Sequence, residues 1–440
     1  MARTLAPITA LLLGVAFLLA GNGLQFTLLP LRATEEGFSA FSIGIMGSSY
    51  FAGFVAGCVI APYLILRAGH IRAFAAMVAT ATVAVLAHAL MIDPDIWFLL
   101  RALTGFCLAG IYLVIESWLN DRASNDNRGL VMSTYIIVNY AAITAGQLMV
   151  TLYPAADFRL FALSAALLAV AIVPVVLTRS AQPAPITIVR FRPMRLYHAA
   201  PVALVGSFMV GVASGAFWGL AVVFALAIGL DADGAAIFTS VAVAAGALAQ
   251  WPIGRISDRI DRRAVLAVLL AGAVVAGLAL GLTPVMGYSP FVLAFLFGAL
   301  TLPGYSLVAA HAYDKTPNSE AVETAAGILL AYGAGSIMGP VLASAAMAVF
   351  GSGGLFLTTA LAQCLLLVFV IHRIRVQAPL ETSEKTGYDL AACAPVGAMV
   401  TAEPLDVLDP LVAVPDPATI VPVTDETTAE AEVRRSERAV

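Results

Sequence analysis

Apolar residues fall into twelve long runs along this chain, at roughly 6–31, 41–64, 71–92, 96–119, 130–153, 158–178, 199–227, 234–254, 264–284, 289–313, 323–350 and 354–373. At ~1.5 Å rise per residue, about 20 residues cross a ~30 Å hydrocarbon core as an α-helix. The pattern therefore predicts an all-α polytopic membrane protein with twelve transmembrane helices. The sharpest break lies in Trp251-Pro-Ile-Gly-Arg-Ile-Ser-Asp-Arg-Ile-Asp-Arg-Arg263. It packs six charged residues into positions 255–263, while 235–254 and 264–282 carry none. A tight, mainly basic turn between two spans is expected there, on the cytoplasmic face.

Composition agrees. Of 440 residues, 11% are charged and 61% hydrophobic, against about 25% charged in a soluble globular chain. That excludes a soluble enzyme, and no basic surface is present for nucleic acid. Cys58, Cys107, Cys364 and Cys393 form no Cys-x-x-Cys pair, so neither metal nor disulfide chemistry is expected. No phosphate-binding Gly-x-x-x-x-Gly-Lys-Ser/Thr loop is present, and no cofactor is expected. The run after Arg3 is too long for a secretory signal and reads as a retained first helix.

Lys and Arg set the sides. One set of connections holds Arg67, Arg72, Arg122, Arg128, Arg179, Arg190, Arg192, Arg195, the 255–263 cluster and Lys315. The other holds only Arg32 and Arg159, beside acids such as Glu35, Asp93 and Asp231. Both termini are thus expected in the cytoplasm of a multi-pass bacterial inner-membrane protein. The organisation read from the sequence is an N-terminal six-helix half (1–178), a Pro-rich basic central loop (179–198), a C-terminal six-helix half (199–375) and a disordered cytoplasmic tail (376–440).

The halves echo each other. Tyr112 and Tyr305, Asp121 and Asp314, and Gly146 and Gly339 are each 193 positions apart. Equal helix counts and matching basic loops support a duplicated unit, arranged as parallel repeats. A monomer then suffices to form a whole pathway.

Polar residues inside a bilayer mark cavities or helix contacts. Within the ninth run, 264–282 has no polar side chain, and beyond Arg159 the sixth has only Ser164 before Thr178. The first carries Asn22 and Gln25 on one face, the seventh Ser214 and Trp218 on one face, the fourth Arg101, Tyr112 and Glu116, and the tenth Tyr305 and His311 after a Pro303-Gly304 break. Asn22, Gln25, Tyr112, Ser214, Trp218 and Tyr305 are the cavity candidates. Glu116, Arg101 and His311 are the proton-coupling candidates, because a carboxylate in an apolar wall and a histidine both suit reversible protonation. Two structural alternatives stand beside them. Glu116 could pair with Arg67 or Arg72 at the rim, and Arg101 could snorkel at a helix end. Arg101 and Glu116 lie ~22 Å apart along one helix and cannot pair with each other.

Several motifs resemble the major facilitator superfamily. Gly254-x-x-x-Asp258-Arg259-x-x-Arg262-Arg263 is similar to its loop between the second and third helices of each half, and Arg101-Ala-Leu-Thr-Gly105 to its fourth-helix motif. Gly335-x-x-x-Gly339-Pro340 is similar to the Gly-Pro motif of its antiporters, but sits in the eleventh helix, so antiport does not follow. Ser49-Tyr-Phe-Ala-Gly53, Ile115-Glu-Ser117, Gln250-Trp-Pro-Ile-Gly254 and Ala331-Tyr-Gly-Ala-Gly-Ser-Ile-Met-Gly-Pro340 together resemble the bacterial YcaD-like branch. The resemblance implies two six-helix halves, a cavity lined by helices one, four, seven and ten, and a proton-linked Arg101. It also implies a cytoplasmic gate of Gly254, Asp258, Arg259, Arg262, Asp121, Asp314, Arg67 and Arg72, and close helix packing at Gly335, Gly339 and Pro340. The first-half loop departs from the pattern, with Pro62 in place of the leading glycine and Leu66 in place of the acid. Asp258 is therefore expected to carry more of the latch than its first-half counterpart. The function expected is secondary transport of a small organic solute across the lipid bilayer by alternating access, coupled to protons. The alternative is a transporter-like sensor signalling through the tail.

Overall fold

In the computed structural model the described residues are 8–122, 128–176, 192–284, 287–317, 320–378 and 385. Most of the central loop and, apart from a few residues, the tail lie outside them. The helices are α1 (Thr9–Glu35), α2 (Ala40–Ala68), α3 (His70–Leu90), α4 (Pro94–Arg122), α5 (Arg128–Leu148, continued by a 3₁₀ turn at Met149–Leu152), α6 (Phe158–Val176), α7 (Pro193–Ala199), α8 (Pro201–Ala227), α9 (Ala232–Arg259), α10 (Arg262–Leu282), α11 (Ser289–Thr301), α12 (Gly304–Lys315), α13 (Ala321–Phe350) and α14 (Gly354–Val376). Counting α11 and α12 as one span, twelve spans among the described residues are long and apolar enough to cross a membrane.

Two boundaries differ from the sequence reading, and the expected break in the tenth span is present. The charged 255–263 stretch is mostly helical, and the turn shrinks to Ile260 and Asp261. Asp261 makes so short a turn possible by capping α10, its carboxylate accepting from the Arg263 N–H at 3.0 Å. The end of the central loop is helical too, as α7, with Pro193 in its first turn. The tenth span is broken between Thr301 and Gly304, where Pro303 cannot donate to the helical ladder.

Glycines set how closely the helices approach. A Cβ on Gly146 (α5) would lie 2.1 Å from the Ala20 carbonyl oxygen of α1, and one on Gly339 (α13) 2.2 Å from the Val212 carbonyl oxygen of α8. Gly105 (α4) meets Tyr50 O of α2, and Gly298 (α11) meets Ala242 O of α9, each at 2.0 Å by the same measure. These pairs repeat the offset seen in the sequence, so the two halves share their packing as well as their helix count. Small residues are the means by which helices associate in lipid, where burial supplies little drive.

Between the halves, Pro340 of α13 packs against Gly47 of α2 and Gly219 of α8, and Gly44 of α2 faces Ser344 of α13. The Gly335-Gly339-Pro340 motif thus has two faces. Gly335 and Gly339 seat α13 on α8, while Pro340 meets the other half.

Gly146→Ala and Gly339→Ala should each cost about 1–3 kcal/mol of stability, because the new methyl group overlaps a backbone oxygen. The test is the unfolding midpoint in detergent. Val275→Ala on α10, where Val275 is exposed, should leave that midpoint nearly unchanged.

Candidate functional site

A cavity of about 130 Å³ lies between the halves. Its walls come from α4 (Tyr112), α5 (Asn139, Tyr140, with Ile136 and Ile143), α8 (Ser214, Trp218), α9 (Gln250), α12 (Tyr305, Ser306) and α13 (Tyr332), with Leu302 at the helix break. The volume is below the roughly 300–1,000 Å³ of most small-molecule sites. Its polar groups are all uncharged. Ser306 donates to Gln250 Oε1 at 2.9 Å, and Gln250 Nε2 donates to the Tyr140 hydroxyl at 3.2 Å, which ties the halves together.

Of the six residues expected here, Tyr112, Ser214, Trp218 and Tyr305 line the cavity. Asn22 and Gln25 do not. Both are buried, and Gln25 Nε2 turns back to the Gly21 carbonyl of its own helix at 3.4 Å. Their shared face was legible, but its direction was not. Asn139, Tyr140, Gln250, Ser306 and Tyr332 were missed. Isolated amides and hydroxyls in the fifth, eighth, tenth and eleventh runs were the available signal.

One side of the cavity is roofed by aromatic rings. Phe26 of α1 sits 5.1 Å from Trp218 of α8, across the halves, and 5.0 Å from Tyr50 of α2. Arg101 lies over the Tyr50 ring at 4.4 Å and the Phe26 ring at 5.2 Å. It is 3% exposed, so it does not snorkel, and its Nε and Nη1 have no hydrogen-bond partner. Ring faces hold this cation.

Towards the basic-loop side, Glu116 is fully buried and accepts from the Tyr135 hydroxyl at 3.0 Å. Its Oε2 has no partner. It pairs with neither Arg67 nor Arg72, both of which are exposed. Asn139 lies beside both the Tyr135 and the Tyr112 hydroxyls. A row of polar side chains therefore runs from Glu116 through Tyr135 and Asn139 to Tyr112 in the cavity wall.

At the basic loop of the second half, the Arg262 side chain is 1% exposed and Asp314 is 2% exposed. Nε donates to Asp314 at 2.7 Å, and Nη1 donates to Ser257 at 2.9 Å and to Asp258 at 3.2 Å. Asp258 is 38% exposed, so Asp314 is the more deeply buried of the two carboxylates that Arg262 holds. Gly254 accepts from the Ser257 hydroxyl at 2.7 Å, and Arg259 is exposed. Buried His311 lines the same recess as Asp314, Lys315 and Asp261. In the first half, Asp121 is exposed near His70 and no matching cluster is assembled with Arg67 and Arg72 among the described residues. The Arg262 contacts to Asp314, Ser257 and Asp258 join α9, α10 and α12 of the second half.

The sequence profile of the Major Facilitator Superfamily matches residues 11–194 and 203–415. The chain belongs to the major facilitator superfamily. It is 27% identical over 370 residues to an uncharacterised transporter of this type from Enterobacter sp. (strain 638), covering 83% of this chain and 96% of the relative. It is 27% identical over 371 residues to YcaD, an uncharacterised transporter of the same type from Escherichia fergusonii, covering 84% and 96%. Among solved superfamily structures, the nucleoside transporter NupG aligns with a TM-score of 0.69 at 14% identity, covering 84% of this chain and 100% of that one. The E. coli fucose:proton symporter FucP aligns at 0.54 and 15%, covering 84% and 99%. These likenesses share the superfamily fold of twelve helices.

The loop cluster generates two predictions. Asp314→Asn should cost about 3–5 kcal/mol by stranding a buried guanidinium, and Asp258→Asn less than about 1 kcal/mol, read as unfolding midpoints. The second concerns Asp261. Burial pushes its carboxyl up, but hydrogen bonds from the Arg263 side chain and backbone outweigh this and hold it below the usual carboxylate range. Its contribution is complete above the unfolded value of about 3.9 and is lost as pH falls through the lower folded value. Stability should therefore drop below about pH 4, and Asp261→Asn should flatten that acid limb.

Proposed function

We propose that this protein is a proton-coupled secondary transporter of the bacterial inner membrane, with both termini in the cytoplasm, that moves a small uncharged or zwitterionic organic solute by alternating access. The observation that carries the reading is Glu116. Sealed in the wall, its carboxylate has one hydrogen bond and, among the described residues, no ion pair. An ionised carboxylate in that setting carries a desolvation cost of several kcal/mol. A proton offsets that cost while the site is dry, and water offsets it when the site opens. The side chain thus favours one protonation state in each conformation, which is what coupling requires.

The Tyr135-Asn139-Tyr112 row connects that event to the solute. Tyr112 and Asn139 change partners if a solute hydroxyl or amide bonds to them, and the change reaches Glu116 through Tyr135. The cavity supports the substrate class. It offers hydroxyls and amides but no fixed charge to neutralise an anion or cation. The solutes named for the two structural neighbours, a nucleoside and fucose, are hydrogen-bonding molecules of this kind. Arg101 serves as a positioning residue that holds Tyr50 and Phe26 beneath the periplasmic closure. His311 belongs to the loop cluster, apart from the cavity.

The test is untargeted metabolite profiling inside and outside cells expressing wild type or Glu116→Gln at matched levels. The amide keeps the shape and the Tyr135 contact but cannot exchange a proton. A compound whose gradient depends on wild type and collapses in the variant is the expected result. Identical profiles for wild type, variant and empty vector would overturn the reading.

A further inference from the structure

A second and larger hollow lies on the membrane-facing side of α5 and α9. It has a volume of about 710 Å³ and is overwhelmingly apolar. Its depth comes from small side chains at helical spacing. Ala141 and Ala145 lie one turn apart on α5, facing Ala244 and Ala247 on α9. Ile137, Leu248 and Trp251 form its outer rim, exposed at 67%, 71% and 57%.

This groove is not separate from the central cavity. Ile136, Tyr140 and Gln250 line both. The partition between them is therefore one side chain thick, formed by Ile136, Tyr140 and Gln250, with Gln250 donating to the Tyr140 hydroxyl at 3.2 Å. A second rung, from Ser240 to Gln147 at 3.5 Å, closes the seam between the halves about two turns further along α5. The gap is thus bounded along its length and open sideways to the hydrocarbon.

We infer that the α5–α9 groove is a lateral path from the bilayer, and that the transported solute is an uncharged single-chain amphiphile whose tail lies in the groove and whose polar head occupies the central cavity. This rests on the transporter reading and narrows its substrate class. An apolar trough joined to a compartment of tyrosines, amides and serines matches a molecule with both characters. A fully polar solute leaves the groove unused, and a two-chain lipid must fit a second tail into a cavity of about 130 Å³. Admission of the head requires breaking the Gln250–Tyr140 bond, and the head's own hydroxyls replace what that step removes.

The test uses purified protein in phosphatidylcholine nanodiscs and a long-tailed monoacylglycerol carrying a diazirine at the tail end. After illumination, adducts are mapped by peptide mass spectrometry. They should concentrate at positions 133–148 and 244–251. Labelling there should fall about tenfold when Ala141→Trp and Ala247→Trp together fill the groove, and should persist in Val275→Trp, a membrane-facing change elsewhere. In wild type alone, unlabelled long-tailed monoacylglycerol should compete and glycerol should not. Adducts spread evenly over exposed positions such as Val275 and Leu361, unchanged in the filled variant, would overturn the inference. So would competition by glycerol alone. Such adducts together with an intact wild-type-dependent metabolite gradient would leave transport standing without the lateral path. Concentrated adducts with no such gradient would count against transport and keep the groove as an amphiphile site.

Discussion

Each half of the molecule depends on a backbone seat. Gly146 of α5 lies against the Ala20 carbonyl of α1, and Gly339 of α13 lies against the Val212 carbonyl of α8. In lipid, apolar side chains gain little by exchanging acyl chains for one another, so close backbone approach is the principal source of helix attraction. These seats make α1 with α5, and α8 with α13, into stiff pairs. Pro340 then carries the second pair onto the first half, between Gly47 and Gly219. A packed seam runs between these halves, and the remaining functional parts lie along it.

The seam sorts polar groups by depth. Cation and rings are at one end, neutral hydrogen-bonding groups are in the middle, a lone carboxylate is one turn further, and a charge cluster is at the basic-loop end. Only the last matches full charge with full pairing. Arg262 directs its donors to Asp314, Asp258 and Ser257, so the cluster behaves as a fixed joint between the α9–α10 turn and α12. Glu116 and Arg101 are both buried and under-partnered, which makes them sensitive to whether the seam is wet. A structural ion pair would not have that sensitivity.

The spans were legible because a bilayer sets one length scale and a run of about 20 apolar residues meets it. The break at Pro303-Gly304 was legible because proline acts locally. The short α7 was not, since seven residues carry no span-length signal. The repeat could be read from Gly146 and Gly339, whose packing the structure then supplied. Site assignment was poorer. Helical spacing places Asn22 and Gln25 on one face but does not say which neighbour that face meets. Tyr135 is 19 positions from Glu116, on another helix, and the rings that hold Arg101 come from α1 and α2. Contacts between helices are set by tilt and rotation, and a single sequence carries little of either.

The aromatic roof links the under-partnered Arg101 to one movement. Phe26 touches Trp218 across the halves and also covers Arg101. Separating the halves on that side pulls Trp218 from Phe26 and loosens the cover over the guanidinium. Each ring pair that separates gives up about 0.5–1.5 kcal/mol. Water then reaches two guanidinium nitrogens that have no partner in the closed state, and hydration of a charged donor is worth at least as much. The two terms oppose each other, so the roof is a place where a differential interaction with a bound solute can shift the balance between closed and open arrangements.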